Sequence, residues 1–506
     1  MRYFVPGVQA VDTMQKILKL LEDPKRPLLG PNAKLLKFMG LLLPKNGILK
    51  AFFYFMHVSV VVFVTSEYVD IWFNRSDMNL VLNNLKISML ATVSVAKIVT
   101  IMLRQRDWRD IIDYVTRVDK EEREKEDPAV KAVVGQYTKY CRKITYSFWV
   151  LISTTVYIVV IYPMAKLCLD KTYRQSVKNG TGDFMEIVRS WAPFDKRNIY
   201  WYLFASFYQA TECIYGLGVM ASVDTTVVVI MVFFGSQLVL LRKKCSQIFG
   251  EEHETITEEL ALERVKECHR IRKEILNSAT RLLVALVISA LLRMRNPPLR
   301  PAIWYTKLFD SFLSPIMLLY MIVCSIMLCA SAYQLTNDED PMQRFFTAEY
   351  LVFGIAQLFI YCWHSNDVYY KSQEVMLGPY ESSWWRCGAG SRKYVLMLIG
   401  QTQGAVLFTA GKFATLTIPT FISVTRARRT ASADWWITPG AAAMRPRDLF
   451  TTSRDYRESV GVSEQLKKGT TPKHYSLEDS DHTNAPFTRQ SSLLQDPVFC
   501  RTPFDG

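Results

Sequence analysis

The chain reads as an all-α membrane protein of seven transmembrane helices, N-terminus cytosolic and C-terminus extracellular, with a helical cytosolic anchor region. Three observations predict this. Apolar runs long enough to cross a bilayer recur through the first 424 residues; basic residues crowd the loops on one side of them; and the last eighty or so positions are polar. Of 506 residues, 50% are hydrophobic and 13% aromatic against 21% charged, more apolar than a water-soluble domain is expected to be.

A helix needs about 20 apolar residues to cross roughly 30 Å of hydrocarbon. Seven stretches meet that length test, near 51–68, 80–103, 144–165, 199–241, 312–333, 345–363 and 394–424. At 1.5 Å per residue the fourth is roughly 64 Å long and must protrude from one face. A shorter run, 282–292 between Arg281 and Arg293, is too brief to span. Starting from a cytosolic N-terminus, the cytosolic segments hold roughly three dozen Lys and Arg, the opposite loops nine. That asymmetry is the positive-inside pattern. The two Asn-x-Ser/Thr sequons, at Asn74 and Asn179, both fall in loops placed outside and are the glycosylation candidates.

Two cytosolic segments have helical periodicity. Trp108, Ile111, Ile112, Val115 and Val118 form one stripe opposite Arg109, Asp110, Asp113 and Arg117, and Leu260, Val265, Cys268 and Ile271 repeat the pattern. A helical bundle below the membrane and helices lying on the lipid surface both fit.

Enzyme chemistry finds no footing. Gly404 to Gly411-Lys412 has the wrong spacing for a phosphate-binding loop, His253-Glu254 lacks the second His of a zinc protease motif, and no nucleophile elbow or kinase set occurs. Ten cysteines stand singly and six histidines never cluster, so neither a metal site nor a disulfide framework is implied, and no cofactor is expected. On a membrane protein the net charge of +14 belongs to cytosolic loops rather than to a nucleic-acid surface. Ionisable residues inside spans are Lys97, Glu212 and Lys412. Glu212, roughly 20 Å into its span, fits either a polar cavity or a pair with Lys97; Asp224 is expected at the inner interface with no special role.

Aromatic and hydroxyl residues collect toward the outer ends of the spans. Tyr157, Phe207, Tyr208, Thr211, Tyr350 and Phe353 are the candidates to line a ligand pocket. An aromatic belt at the membrane interface accounts for the same residues, less well for Phe207, Tyr208 and Thr211, which lie a turn or more inside.

The last apolar stretch reads TAGKFATLTIPTFISV, and the loop before it NDVYYKSQEVMLGPYESSWW. Through Ala410, Gly411, Phe413, Leu416, Thr420 and Phe421, and through the Ser, Tyr and Trp of the preceding loop, the chain resembles the insect odorant receptor family. The resemblance makes 1–424 a seven-helix odorant-receptor-like membrane domain. It implies an olfactory receptor in the plasma membrane of the sensory neuron dendrite that binds volatile odorants. It also implies a tuning subunit of an odorant-gated, non-selective cation channel, a heterotetramer with the family's co-receptor in membrane lipid, with the pocket between spans two, three, four and six and the pore lined by the last span. Gly400, Gly404, Gly411 and Pro419 interrupt that span where a gate helix would bend. A gustatory receptor of the same superfamily is the nearest alternative. A G-protein-coupled seven-helix receptor is another, opposed by the inside N-terminus and by the absence of Asp-Arg-Tyr and Asn-Pro-x-x-Tyr signatures. Against the family pattern, 280–306 reads as an insertion and 425–506 as an atypical, disordered polar tail. Its Arg426, Arg428 and Arg429 would oppose cations in a pore.

Overall fold

The computed structural model describes residues 21–179, 184–248, 260, 263–268, 302–337, 341–386, 392, 395–396, 398–400, 405–411 and 413–425. Lys412, nearly all of 280–306 and the tail from 426 lie outside them, so the insertion, the tail and the tail's three arginines are not described; residues 302–306 form the first turn of a long helix.

The described residues are almost wholly helical: α1 (Gly30–Phe38), α2 (Gly47–Phe73), α3 (Met78–Leu103), α4 (Gln105–Glu124), α5 (Pro128–Leu169), α6 (Lys171–Lys178), α7 (Ile199–Ser246), α8 (Ala302–Asn337), α9 (Pro341–Glu374) and α10 (Leu377–Glu381). Six of them, α2, α3, α5, α7, α8 and α9, are long and apolar enough to cross a membrane. Each contains one predicted span and most overrun it, because the polar residues that ended the sequence estimate continue the helix. The 364–393 loop is thus helical as far as Glu374. Starts follow local chemistry: the side chains of Asn46, Asp127, Asp170 and Asn198 accept hydrogen bonds from the first free N–H groups of α2, α5, α6 and α7.

The central post is α7, 48 residues long, whose most apolar window is 89% buried, against 22% for α5. Its apolarity runs all round the helix, which suits an element covered on every side. Helices α5, α9, α2, α3, α1 and α10 all pack on it. At one end of the bundle the predicted amphipathic helix is α4. Trp108, Ile111, Ile112 and Val115 are fully buried, and the Trp108 indole stacks on Phe312 of α8 at 4.9 Å between centroids. The stripe therefore packs on other helices. In the second periodic segment residues 263–268 are helical, with Val265 and Cys268 buried and Leu260 exposed; Ile271 is not described.

Pro315 lies inside α8 and cannot donate to Ser311 O one turn back. Arg104, at the α3–α4 junction, donates to that carbonyl at 3.0 Å. The final predicted span, 394–424, is not one helix in its described part. Strands β1 (Thr409–Ala410) and β2 (Ala414–Thr415) form an antiparallel hairpin, and only 418–425 is helical afterwards, too short to cross. Gly411 turns the hairpin at φ +62, and a Cβ there would come within 2.5 Å of the Leu318 side chain. Asp310 holds the Thr409 N–H at 2.7 Å, and Ser314 O accepts from the Gly411 N–H at 3.0 Å. The local sequence favours this: β-branched threonines flank a glycine, and Pro419 sits in the first turn of the short helix.

Two outcomes test this packing. Trp108→Ala should cost about 3–5 kcal/mol in chemical denaturation, with Trp108→Phe costing less. Gly411→Ala, strained both by backbone and by Leu318, should lower the melting temperature of the purified protein far more than Gly47→Ala, where a Cβ meets nothing within 4 Å.

Candidate ligand site

Two groups of polar side chains are buried inside the apolar bundle. Depth is measured from the end carrying α6, at 1.5 Å per residue.

The deeper group, roughly 24–38 Å from that end, is a closed network. Lys97 of α3 pairs with Asp224 of α7 at 2.5 Å. Tyr361 of α9 donates to the same Asp224 oxygen at 2.6 Å, and Gln357 donates to the other. Tyr320 of α8 donates to Gln357 Oε1 at 3.0 Å, and its ring lies beneath the Lys97 ammonium. Four helices contribute, and Lys97 is fully buried. Two expectations are corrected here: Lys97 does not pair with Glu212, and Asp224, expected to have no special role, is the buried partner on which the network converges. Asp224 is twelve residues, about three turns, farther along α7 than Glu212, which is why it meets the deep lysine.

The shallower group occupies the α2–α7 seam, roughly 9–20 Å from the α6 end. Glu212 accepts from Ser59 Oγ at 2.5 Å, while its Oε2 has no partner. Ser59 Oγ also lies 3.2 Å from the Tyr208 hydroxyl, and the Tyr208 ring stands edge-on to Phe63. Glu67 of α2 is 1% exposed, and no hydrogen bond meets either carboxyl oxygen. The Ser88 hydroxyl of α3, close enough to turn toward that carboxyl, donates to Asn84 O at 3.0 Å. Gln209 gives its amide hydrogens to Glu186 and Ser190, leaving Oε1 buried without a donor. The 184–198 loop closes this end: Ile187 and Val188 join Phe63 in a small apolar cluster separate from the main core, and the Trp191 N–H donates to Ser66 O.

Of the six pocket candidates, Tyr208 is in the seam, and Thr211 donates to Phe207 O on the same helix. Tyr350 donates to Lys86 O and Phe353 packs near Phe148, both with the main core. Tyr157 and Phe207 are 66% and 74% exposed on the bundle's outer surface, as belt residues would be. The six therefore do not converge on one cavity. A cavity of about 1050 Å³ lies elsewhere, beside the start of α2, where Met39, Phe53, Arg109 and Tyr215 contribute to its wall; none of the six lines it. Several of its walls, Phe38 and Phe52 among them, are exposed, so it is a surface hollow; the seam has the buried, unmet hydrogen-bonding groups of a binding site. The sequence reading missed Glu67 and Ser59, although a carboxylate within an apolar run was signal enough.

The family-motif residues have structural duties. Ala410 and Leu416 are fully buried, Gly411 meets α8, Thr420 pairs with Thr417, and Phe421 packs edge-on to Phe359 of α9; Phe413 is 83% exposed. Asn74 caps the end of α2, its amide donating to Asp70 O, and Asn179 is exposed beyond α6. Among the described residues no group of His, Cys, Asp and Glu could hold a metal ion.

Removing one member of the deep pair strands a charge. Lys97→Met or Asp224→Leu alone should destabilise by about 3–5 kcal/mol, and the double variant should recover much of the loss, read by thermal unfolding in detergent.

Known proteins resemble this chain in sequence and, for a solved structure, in fold. Odorant receptor 10 of Aedes albopictus is 26% identical over 123 residues, 24% of this chain and 33% of that one. The odorant receptor coreceptor of Aedes aegypti is 30% identical over 109 residues, 21% of this chain and 23% of that one. These alignments span a third or less of the curated relatives' own length. The insect olfactory receptor OR5 of Machilis hrabei, solved in complex with eugenol, superposes with a TM-score of 0.61 at 14% identity, covering 79% of this chain and 94% of that one. A family model for the 7tm odorant receptor matches residues 77–428, well over half the chain. With six membrane-length helices arranged in that fold, the chain belongs to the 7tm odorant receptor family, whose members are multi-pass membrane proteins.

Proposed function

We propose that this protein is an olfactory receptor of the plasma membrane that binds volatile odorants in the α2–α7 seam and acts as the tuning subunit of an odorant-gated, non-selective cation channel with a co-receptor. The observation that carries the reading is the seam itself: two buried carboxyls with unmet oxygens, walled by Tyr208 and Phe63, while the one other buried carboxylate network of the spans described above, at Asp224, is paired. In hydrocarbon such groups are costly unless something meets them, so they mark the place where a small molecule gains most. Similarity to the OR5 fold and to the coreceptor supports the class of partner.

The proposal includes a cytosolic N-terminus. The α4 end then faces the cytosol, which agrees with the basic residues gathered there, and Asn74 and Asn179 face outward. Gating follows from a population shift: an odorant favours the open state by as much as its affinity for the two states differs.

Co-expression with a co-receptor should give inward current on exposure to a volatile from a panel of esters, alcohols, aldehydes, terpenes, amines and aromatics. Tyr208→Ala should move the half-maximal concentration about tenfold upward without reducing surface delivery, as expected for loss of about one good contact. An N-terminal epitope should be readable only after permeabilisation. Absence of current to every volatile, with the protein at the surface, would sink the channel reading.

A further inference from the structure

Resting on the odorant-binding reading of the seam, we infer that the ligands this chain prefers are small protonated amines, with the Glu67 carboxylate as their direct partner and Glu212 as a second acceptor. The inventory of unmet atoms points there. In the seam, among the described residues, both oxygens of Glu67, Oε2 of Glu212 and Oε1 of Gln209 are buried without a partner, as are Ser206 Oγ of α7 and His57 Nε2 of α2, so acceptors outnumber groups able to donate. The amide hydrogens of Gln209 are used, and the membrane-buried lysines are engaged elsewhere, Lys97 with Asp224 and Lys86 with Thr347, so no cation of the protein's own pairs with the Glu67 carboxyl. An ester, ketone or aldehyde brings neither a donor nor a charge, and meets a buried carboxyl only in its neutral form. An alcohol brings one donor. An ammonium brings three and a positive charge, the complement of a buried carboxylate.

The surroundings define the rest of the ligand. Cys213 of α7 and Tyr350 of α9 lie near the Glu67 carboxyl, and Tyr68 follows it on α2. Phe63, Ile187, Val188 and the Tyr208 ring supply the apolar wall that a hydrocarbon or aromatic body would meet. Glu67 stands on α2 and faces the bundle, so it is a specificity-determining group at the back of the site. The distinction it makes is between ligand head groups; the shape of the greasy remainder is read by other residues.

Three probes of matched size separate the head groups: 2-phenylethylamine, 2-phenylethanol and propylbenzene. With a co-receptor, the half-maximal concentration should rise in that order, with the amine about tenfold or more below the hydrocarbon. Glu67→Gln should remove that preference, raising the amine's half-maximal concentration about tenfold while moving propylbenzene's less than about threefold. Equal potency of amine and hydrocarbon on the wild type, or an amine preference that survives Glu67→Gln, overturns the inference while leaving the odorant-receptor reading in place. Response to other volatiles of the panel but to none of the three probes also overturns it. If no volatile evokes current, the channel reading has failed, and the inference is decided on the purified protein instead. There 2-phenylethylamine should raise the unfolding temperature of the wild type and not of Glu67→Gln; no shift in the wild type overturns it. Should Glu67→Gln fail to fold, Glu212→Gln takes its place, with a smaller loss of amine preference expected and an unchanged preference overturning the inference.

Discussion

The absence of water from the hydrocarbon layer is the constraint on which the rest of this structure depends. Each backbone group must be bonded within its own helix, and each buried side-chain charge must find its partner within reach on a neighbouring one. Asp224 shows the solution in full, since Lys97, Gln357 and Tyr361 converge on its two oxygens from two other helices, and Tyr320 adds a fourth by holding Gln357. Such a network does more for uniqueness of arrangement than for net stability, because a wrongly registered helix would leave a charge stranded in lipid. The same rule explains Arg104, whose guanidinium reaches the one carbonyl that Pro315 has deprived of its donor.

Against that background the α2–α7 seam is conspicuous for what it leaves unmet. It lies about three turns shallower than the closed network along α7 and is covered by the 184–198 loop rather than by helices alone. The paired carboxylate of Asp224 below contrasts with the unmet carboxyl oxygens of Glu67 and Glu212 above. Ligand sites in helical bundles commonly take that form, built from side chains on facing helices of an otherwise settled core.

Much of the fold was legible in the sequence because the length of an apolar run is set by bilayer thickness. All six membrane-length helices contain a predicted span, and the amphipathic stripe of Trp108, Ile111, Ile112 and Val115 is buried as its periodicity implied. Legibility failed where the deciding quantity was an angle or a partner. The hairpin around Gly411 could not be told from a helix by hydropathy, since Ala410 and Leu416 are as apolar in either form. Relative depth between two helices and azimuth around one were not readable, so Glu212 looked able to reach Lys97, which Asp224 meets instead. For the same reason Phe207 and Tyr208, adjacent in sequence, separate into an outward-facing ring and an inward-facing hydroxyl.

The length of α7 has a mechanical consequence. From Glu212 in the seam to Arg242, which binds Glu374 of α9 and Glu381 of α10, the helix is continuous for thirty residues, roughly 45 Å. There its backbone lies so close to α10 that a Cβ on Gly378 would stand 2.4 Å from Arg242 O. A rod of that length is a lever: tilting it by about 5° at the seam sweeps the far end through roughly 4 Å, more than the clearance available at that contact. If a ligand in the proposed site tilted the helix, the displacement at the opposite face would exceed that at the seam without any change in helix conformation.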